Sequence, residues 1–594
     1  MCRRVRLSAA FLAITSPLLA QQPSTPSSGQ LKLSARSDLV LVPVIVTDKS
    51  GKPVSGLNKE GFRLEENGKV RTLSLFEETQ TQKLTAYAGE SSPTTYANFL
   101  PHDDRLRITI FVVDMLNTPW LRQAEGEKQL ADYLLRVTSR DEAMALFGLN
   151  ASGLHQLHPF TTDPKVLILA LQKLELSLSS KESTQPPVTL TDDPFLDQEA
   201  TDEEQLLSDM MQDLNDAVAA NYQRMATRQT LSAMTQLGRA LESVPGRKTL
   251  IWATAGFPFT IDDPNSFARQ GDDLRPEYED AWRSLNSANI AVYPVDLGSV
   301  DFTAKALPSA NSTVSKSQIA TVRGTNGNGL RSPMNLPHDE GVQQRLTMHA
   351  FADSTGGRAC VTISELARCF AEAVDDSRAY YLLGYYLGED TQPGWRKLKV
   401  KVVGDGLHVR YRTGFYVTSK IQDTPEQRGK ELVDALASPV PYTGVRLTAP
   451  QLPMANNPPT SPAREQTTPS AVPTKLAEFM LGVMGDSVTI DREKGNAVDI
   501  QITTLAFDSN HKSVRTSSQV LATSFKPEML QKILQTGIGI PEKVELTPGT
   551  YEIKFAVRDN LTGAIGTISS LSTSSSIALG RINRGEGASP TREG

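Results

Sequence analysis

The sequence predicts an α/β plus all-β chain. A doubly wound, mainly parallel sheet is inserted in a β-sandwich and is followed by a second, immunoglobulin-like β-sandwich. Three observations carry that expectation. The run Arg107-Ile108-Thr109-Ile110-Phe111-Val112-Val113 is rich in β-branched and apolar residues and stops at Asp114, as a strand buried on both faces would. Strand-like and helix-like periods then alternate through residues 105–378, the rhythm of a doubly wound sheet. On either side, residues 36–78 and 379–418 show period-two segments without helices, and neither stretch alone has enough strands for a stable core. The two are therefore expected to complete one sandwich around the insertion.

At 594 residues the chain exceeds what one core can organise, and its 39% apolar and 22% charged composition is that of ordinary globular protein. A net charge of −6 gives no basic field to draw nucleic acid, which excludes that class of partner. Residues 1–20 read as a signal peptide: Arg3, Arg4 and Arg6 form a basic start, Leu7 to Leu19 an apolar core, and Leu18-Leu19-Ala20 a small-residue cleavage site. The apolar stretch falls short of the ~20 residues that cross a bilayer. The mature chain is expected to be secreted or periplasmic, with no membrane span after signal removal.

Residues 21–35 are rich in Gln, Pro, Ser and Thr, as a flexible N-terminus would be. In the first half-sandwich Leu39 to Val46 is a strand and Phe62-Arg63-Leu64 starts another. Asn67-Gly68 signals a two-residue hairpin turn, with Val70 to Phe76 returning. Residues 79–104 read as a polar linker. In the α/β region, Thr118 before Pro119 and the Thr162-Asp163-Pro164 string both have the pattern of a helix cap followed by proline. Leu154 to Phe160 reads as a paired edge segment, Lys248 to Thr254 and Ile290 to Val295 as further strands. Residues 179–209 (acidic, Pro-containing) and 301–339 (Ser, Asn, Gly and Thr) interrupt the alternation and are expected to be mobile insertions. Tyr380 to Tyr386, Lys397 to Val403 and His408 to Val417 supply the second half-sandwich. A Pro-rich linker at 439–473 leads to the C-terminal sandwich at 475–577, and a disordered tail is expected at 581–594.

Of the three cysteines, Cys2 leaves with the signal. Cys360 and Cys369 remain, and in an oxidising compartment they can close a short disulfide loop or stay as buried thiols.

Ile108 to Asp114, Phe160-Thr161-Thr162-Asp163, Leu250-Ile251-Trp252-Ala253-Thr254-Ala255-Gly256 and Ile290 to Asp296, in this order, resemble a von Willebrand factor A domain. With Val42-Pro43-Val44-Ile45-Val46-Thr47-Asp48, Gly56-Leu57 and Tyr381-Leu382-Leu383-Gly384-Tyr385-Tyr386, the stretch 36–418 resembles exported bacterial von Willebrand factor A-related proteins of the acidobacterial type. The resemblance implies protein binding at the carboxyl edge of the sheet through a divalent ion. That metal-ion-dependent adhesion site expects Asp-x-Ser-x-Ser, a loop Thr and a second Asp. Here Asp114 stands for the first ligand, Thr118 for the second hydroxyl, and Thr162 (or Thr161) for the loop threonine. Leu116 replaces the first hydroxyl and Ala255 the second carboxylate, so the site is degenerate. Mg²⁺ or another divalent cation would be held weakly, since a hard ion seeks near-octahedral oxygen ligation. Asp296 is a candidate substitute ligand.

Thr118 and the Thr162/Asp163 pair are equally explained as caps, and Asp114 as a carboxylate at a helix N-terminus. His155-x-x-His158 has no third metal ligand at usable spacing. Gly324-Thr325-Asn326-Gly327-Asn328-Gly329 follows no strand and lacks the lysine of a phosphate loop. The sequence thus predicts a non-enzymatic protein-binding or adhesion scaffold whose partner is a protein or a cell-envelope polymer. The expected contact edge is Asp114, Asn117, Thr118, Thr162, Gly256 and Phe257. An extracellular hydrolase or transferase, or a purely structural spacer, are the alternatives.

Overall fold

The computed structural model describes residues 39–80, 95–98, 107–118, 120–136, 142–178, 202–244, 246–257, 274–297, 340–361, 366–388, 391–417, 424–450, 475–492, 494–510, 512–547 and 549–574. The expected signal peptide, N-terminal segment, 301–339 insertion, glycine-rich 324–329 stretch and C-terminal tail lie outside these residues.

The first sandwich draws on both ends of the expected insertion. Leu39–Thr47 (β1), Phe62–Glu66 (β2), Lys69–Arg71 (β3) and Leu75–Gln80 (β4) precede the α/β unit. The turn between β2 and β3 has Asn67 at φ 47° and Gly68 at φ 79°, the paired left-handed conformations of a tight hairpin. The return strand is short: after Arg71 the chain crosses to the other sheet as β4, so Val70 to Phe76 is two strands and not one.

Residues 95–98 are not linker. Thr95–Ala97 (β5) pairs antiparallel with a strand far downstream, Leu447–Pro450, and belongs to the C-terminal unit.

The α/β unit follows as Arg107–Asp114 (β6), Trp120–Arg136 (α1), Glu142–Asn150 (β7), Gly153–Thr161 (β8), Pro164–Leu178 (α2) and Asp202–Leu241 (α3). Then come Lys248–Thr254 (β9), Arg275–Ser287 (α4), Ile290–Asp296 (β10), Glu340–Thr355 (α5) and Leu366–Asp375 (α6). The sheet order is β10-β9-β6-β7-β8, parallel except for β8, and a parallel bridge from Val295 to Cys360 adds a short segment beyond β10. All eight residues of β6 are buried, as a central strand requires. Alternation along the strands splits the core into two faces. Ile110, Val112 and Trp252 lie with Leu231, Leu237, Trp282 and Phe351 of α3, α4 and α5. Phe111, Val113 and Tyr293 lie with Leu134, Leu167 and Phe370 of α1, α2 and α6.

Within the expected 179–209 insertion, the acidic stretch from Asp202 onward is helix, the start of the 40-residue α3. Only its upstream part lies outside the described residues.

Ala379–Tyr386 (β11), Gly394–Val402 (β12), His408–Tyr411 (β13) and Gly414–Val417 (β14) return to the sandwich. Its two four-stranded sheets, β13-β1-β11-β4 and β14-β12-β2-β3, enclose Val42, Val44, Leu64, Tyr381, Leu383 and Leu398. The Tyr381 hydroxyl donates to Val54 O (2.9 Å) and accepts from Leu57 N (3.1 Å), so this tyrosine staples the core. Arg412 joins the sandwich to the α/β unit, donating to Leu41 O (2.7 Å) and Asn286 O (3.0 Å).

Pro425–Ala437 (α7) leads into Leu447–Pro450 (β15), and then Lys475–Val483 (β16), Ala497–Phe507 (β17), Ser513–Ser524 (β18), Pro527–Thr536 (α8), Ile538–Leu546 (β19), Gly549–Asp559 (β20) and Ile565–Ser574 (β21). Two antiparallel sheets, β19-β16-β15-β5 and β18-β17-β20-β21, pack around Phe479, Leu481, Ile500, Ile502, Ile553 and Phe555. This unit includes a helix that its strand-rich sequence did not announce. The expected linker at 439–473 begins later: Val440, Tyr442, Val445 and Leu447 are buried. The Asn98 side chain donates to Tyr442 O and Val445 O, at 2.7 and 2.8 Å, and accepts from Leu447 N at 2.7 Å.

Cys360 and Cys369 are bonded across a Cα–Cα distance of 6.0 Å, and both lie in the core beside α6. Closing so short a loop contributes about 2.7 kcal/mol by restricting the unfolded chain. Replacing both cysteines by alanine is expected to lower unfolding stability by roughly that amount, read in a denaturant titration. An unchanged midpoint would show that the bridge does not constrain the unfolded chain.

Candidate functional site

Asp114 ends β6 at the carboxyl edge of the sheet, where open α/β sheets place ligands. It is wholly buried. Both carboxylate oxygens are taken by N–H donors. Oδ1 accepts from Asn117 N (2.9 Å); Oδ2 accepts from Asn117 Nδ2 (2.9 Å) and from Trp252 Nε1 (2.9 Å). Burial pushes the Asp114 carboxyl above the usual carboxylate range, against the pull of these donors.

The loop after Asp114 is held from four sides. Met115 N and Leu116 N donate to Leu149 O of β7 (2.9 and 3.0 Å). Asn117 Nδ2 also donates to Thr230 Oγ1 of α3 (3.0 Å), and the Tyr222 hydroxyl donates to Leu116 O (3.0 Å). From α1, Gln123 Nε2 donates to Met115 O and Thr118 O at 3.1 and 2.7 Å. The Thr118 hydroxyl accepts from Ala255 N (3.0 Å), fastening the loop to the end of β9. Beside it Thr254 Oγ1 donates to Gly256 O (2.6 Å), closing that turn on itself.

Of the six residues expected at this edge, Asp114, Asn117, Thr118 and Gly256 are brought together. Thr162 is not. Strand β8 runs against β7, pairing Gly153 with Asn150 at the carboxyl edge and Thr161 with Met144 near the opposite edge. Asp114 pairs with Leu149, and Leu149 and Met144 are separated by roughly 17 Å of strand. Thr162 therefore cannot share a ligand with Asp114. Its neighbourhood is a helix start: Asp163 Oδ1 accepts from Lys165 N (3.0 Å) and Thr161 Oγ1 from Asp163 N (3.1 Å).

Phe257 also departs from expectation. It is 7% exposed, stacked on Phe351 with ring centroids 4.7 Å apart and 6.0 Å from Trp252. An aromatic ring finds more apolar contact in that pocket than at a solvated edge.

The residues present do not fit a divalent ion. The Asp114 oxygens face N–H hydrogens, the Thr118 oxygen is an acceptor for Ala255, Leu116 lies in the core and Thr162 is at the wrong edge. Asp296 is buried and accepts from Arg345 Nε at 3.3 Å. Among the described residues no group of three or more His, Cys, Asp or Glu gathers as a metal site.

The hairpin turn between β7 and β8 places Ser152 Oγ 2.9 Å from His155 Nε2, with Asn150 Oδ1 3.0 Å from that same nitrogen. A nucleophile relay needs the two partners on different ring nitrogens, so this exposed cluster is turn chemistry. His158 has its own partner, Pro159 O at 2.7 Å.

No protein-family model matches the chain. No curated protein matches it either. Among solved structures, the crystal structure of the pilus adhesin SpaC from Lactobacillus rhamnosus GG aligns at 8% identity and a TM-score of 0.25. The alignment covers 84% of this chain and 57% of that one. So low a score carries no argument about fold or function.

One feature of the edge was not read from sequence. Helix α3 covers the sheet with its second half, where Ala226, Leu231, Met234 and Leu237 are buried. Among the described side chains its first contact with the core is near Tyr222, and the helix continues from there back to Asp202, about 30 Å at 1.5 Å per residue. On that outer half Met210, Met211, Leu214 and Val218 are 57%, 55%, 64% and 46% exposed.

Proposed function

We propose that this chain is an exported, non-enzymatic protein-binding scaffold of the von Willebrand factor A-related type, which meets its partner at the carboxyl edge of the sheet without a bound cation. The observation that carries the reading is the contrast at that edge. The polar side chains around Asp114 are consumed by one another and by the loop backbone. Large apolar side chains of α3 stand exposed beside them. Such a patch suits contact with a protein or with an apolar part of a cell-envelope polymer. The β10-β9-β6-β7-β8 order, with one antiparallel outer strand, supports the von Willebrand type of sheet. The Cys360–Cys369 bond supports an oxidising compartment, and no helix among the described residues is long and apolar enough to cross a membrane.

The test is to capture partners from a cell-envelope fraction on the immobilised mature chain, to identify them and to repeat the binding with purified partner. Binding is expected to be unchanged by EDTA, and Mg²⁺, Mn²⁺ or Ca²⁺ should leave thermal unfolding where it is. A saturated ion site would instead add ~2.7 kcal/mol at a hundred times its dissociation constant. Such a shift, together with loss of binding in chelator, would overturn the cation-free reading.

A further inference from the structure

We infer that the outer face of β12 binds an acidic polysaccharide, at a second surface that lies on the first sandwich and not at the edge of the α/β sheet. Along β12 the core takes Leu398 and Val400, while the alternate positions Trp395, Lys397, Lys399 and Lys401 are exposed. Alternate side chains of a strand lie ~6.8 Å apart, so the row extends about 20 Å. Glu65 of β2 stands opposite Lys399, but its carboxylate is taken by Arg63 (3.0 Å) and Lys401 (3.8 Å). Among the described residues no carboxylate pairs with Lys397 or Lys399. The face thus sets Arg63, Lys397, Lys399 and Lys401 against Glu65, in a chain whose net charge is −6. The outer face of the C-terminal sandwich is built otherwise. There Lys543 stands opposite Glu478 and pairs with it at 2.9 Å.

The row of lysines ends in aromatic rings. Trp395 is 39% exposed and pairs across the strands with Tyr416 of β14, their centroids 5.1 Å apart and their planes at 62°. Tyr278 of α4 meets Tyr416 edge-on at 6.2 Å. The indole lies over Gly414, where a Cβ would collide with the ring, so glycine gives the ring its bed. Glu279 lies within electrostatic range of Tyr416, at the end of the row away from Lys401.

Charge and rings together select the occupant. A sugar ring has an apolar C–H face that packs on an indole while its hydroxyls stay in water. Anionic groups further along the same chain then meet the lysines, and carboxylate or phosphate serves equally. Nucleic acid would seek a ring for each successive base, and here the rings stand at one end only. An acidic peptide is held by extending a sheet edge, whereas β12 lies between β14 and β2. A membrane anchor would project its indole outward, whereas this one rests on Gly414.

The test is fluorescence anisotropy of labelled oligosaccharides against the mature chain. An oligogalacturonate supplies carboxylate, a phosphomannan fragment supplies phosphate, and a maltodextrin is the neutral control. At least one acidic glycan should bind ~10-fold or more tightly than the maltodextrin, and added salt should weaken it. The tighter of the two identifies the anion. Lys397→Gln/Lys399→Gln/Lys401→Gln and Trp395→Leu should each lower that affinity by ~10-fold or more. The lysine changes fall on exposed positions, and leucine keeps an apolar cover on Gly414. Unchanged circular dichroism and unfolding midpoints would establish that both variants fold. No binding of either acidic glycan, equal binding of the maltodextrin, or unchanged affinity in either variant would overturn the inference. So would tighter binding of oligo(dT), poly-glutamate or phosphatidylglycerol vesicles than of either glycan, since the occupant would then be of another class. The glycan titration uses no protein partner, so capture at the α/β edge succeeds or fails independently of it.

Discussion

Asp114→Ala is expected to destabilise the α/β unit by roughly 3 to 5 kcal/mol, because it strands three N–H donors in a buried site. In a unit of this size that corresponds to a fall of about 10 °C in the unfolding midpoint. Asp114→Asn keeps the shape but turns one acceptor into a donor facing Trp252 or Asn117, and should cost roughly 1 to 3 kcal/mol. The two variants also separate by pH. The folded Asp114 carboxyl is raised above its unfolded value by burial, so the native state holds this proton where the unfolded state has released it. Stability from this group is therefore complete below the ordinary carboxylate range and declines as pH rises through the raised folded value. Asp114→Asn should lack that decline. A stability near wild type for Asp114→Ala would show that the hydrogen-bonded ring does not hold the edge together.

Phe257→Ala should cost roughly 3 to 5 kcal/mol, the range for emptying an aromatic side chain from a core. Its ring fills space between Trp252 and Phe351, and the cavity left behind is lined by side chains that are themselves locked by neighbours such as Trp282. A surface contact residue would give the opposite result: little change in stability and a large loss of partner binding. The measurement is a denaturant midpoint for the variant beside a binding isotherm. A midpoint within a few tenths of a kcal/mol of wild type would return Phe257 to the contact edge.

These two positions also show what the sequence could and could not carry. The strand ending at Asp114 was legible because Ile108 to Val113 are all apolar or β-branched and stop at a single carboxylate. The Asn67-Gly68 turn was legible because few other pairs tolerate two successive left-handed residues. Trp252 was in plain view within a strand, and a buried indole needs an acceptor for its N–H. What the strand pattern lacked was a reason to look for that acceptor on the neighbouring strand. Thr162 was misplaced because an apolar run shows that a strand exists and not which way it points. The reversal of β8 carried the threonine to the far edge. Phe257 was misread for a similar reason, since its partner Phe351 is distant in sequence. The three-residue β5 gave no signal within a polar stretch. The first turns of α3, Asp202 to Asp209, were read as the end of an acidic insertion, and the apolar residues that follow at helical spacing were not read as helix.

The pairing of β5 with β15 fixes an order of events during synthesis. Ala97 leaves the ribosome 350 residues before Leu447, so at 5–20 residues per second the segment waits roughly 20 to 70 s for the strand it pairs with. Strands β1 to β4 face a shorter version of the same delay, since β11 emerges only after the whole α/β unit. That middle unit needs nothing synthesised later to close its sheet, and it can form while both flanking segments are still unpaired. The two sandwiches then close around a finished centre, the inner one first. The chain assembles from its middle outward, and the segment at 95–98 waits for the outer sandwich to be made.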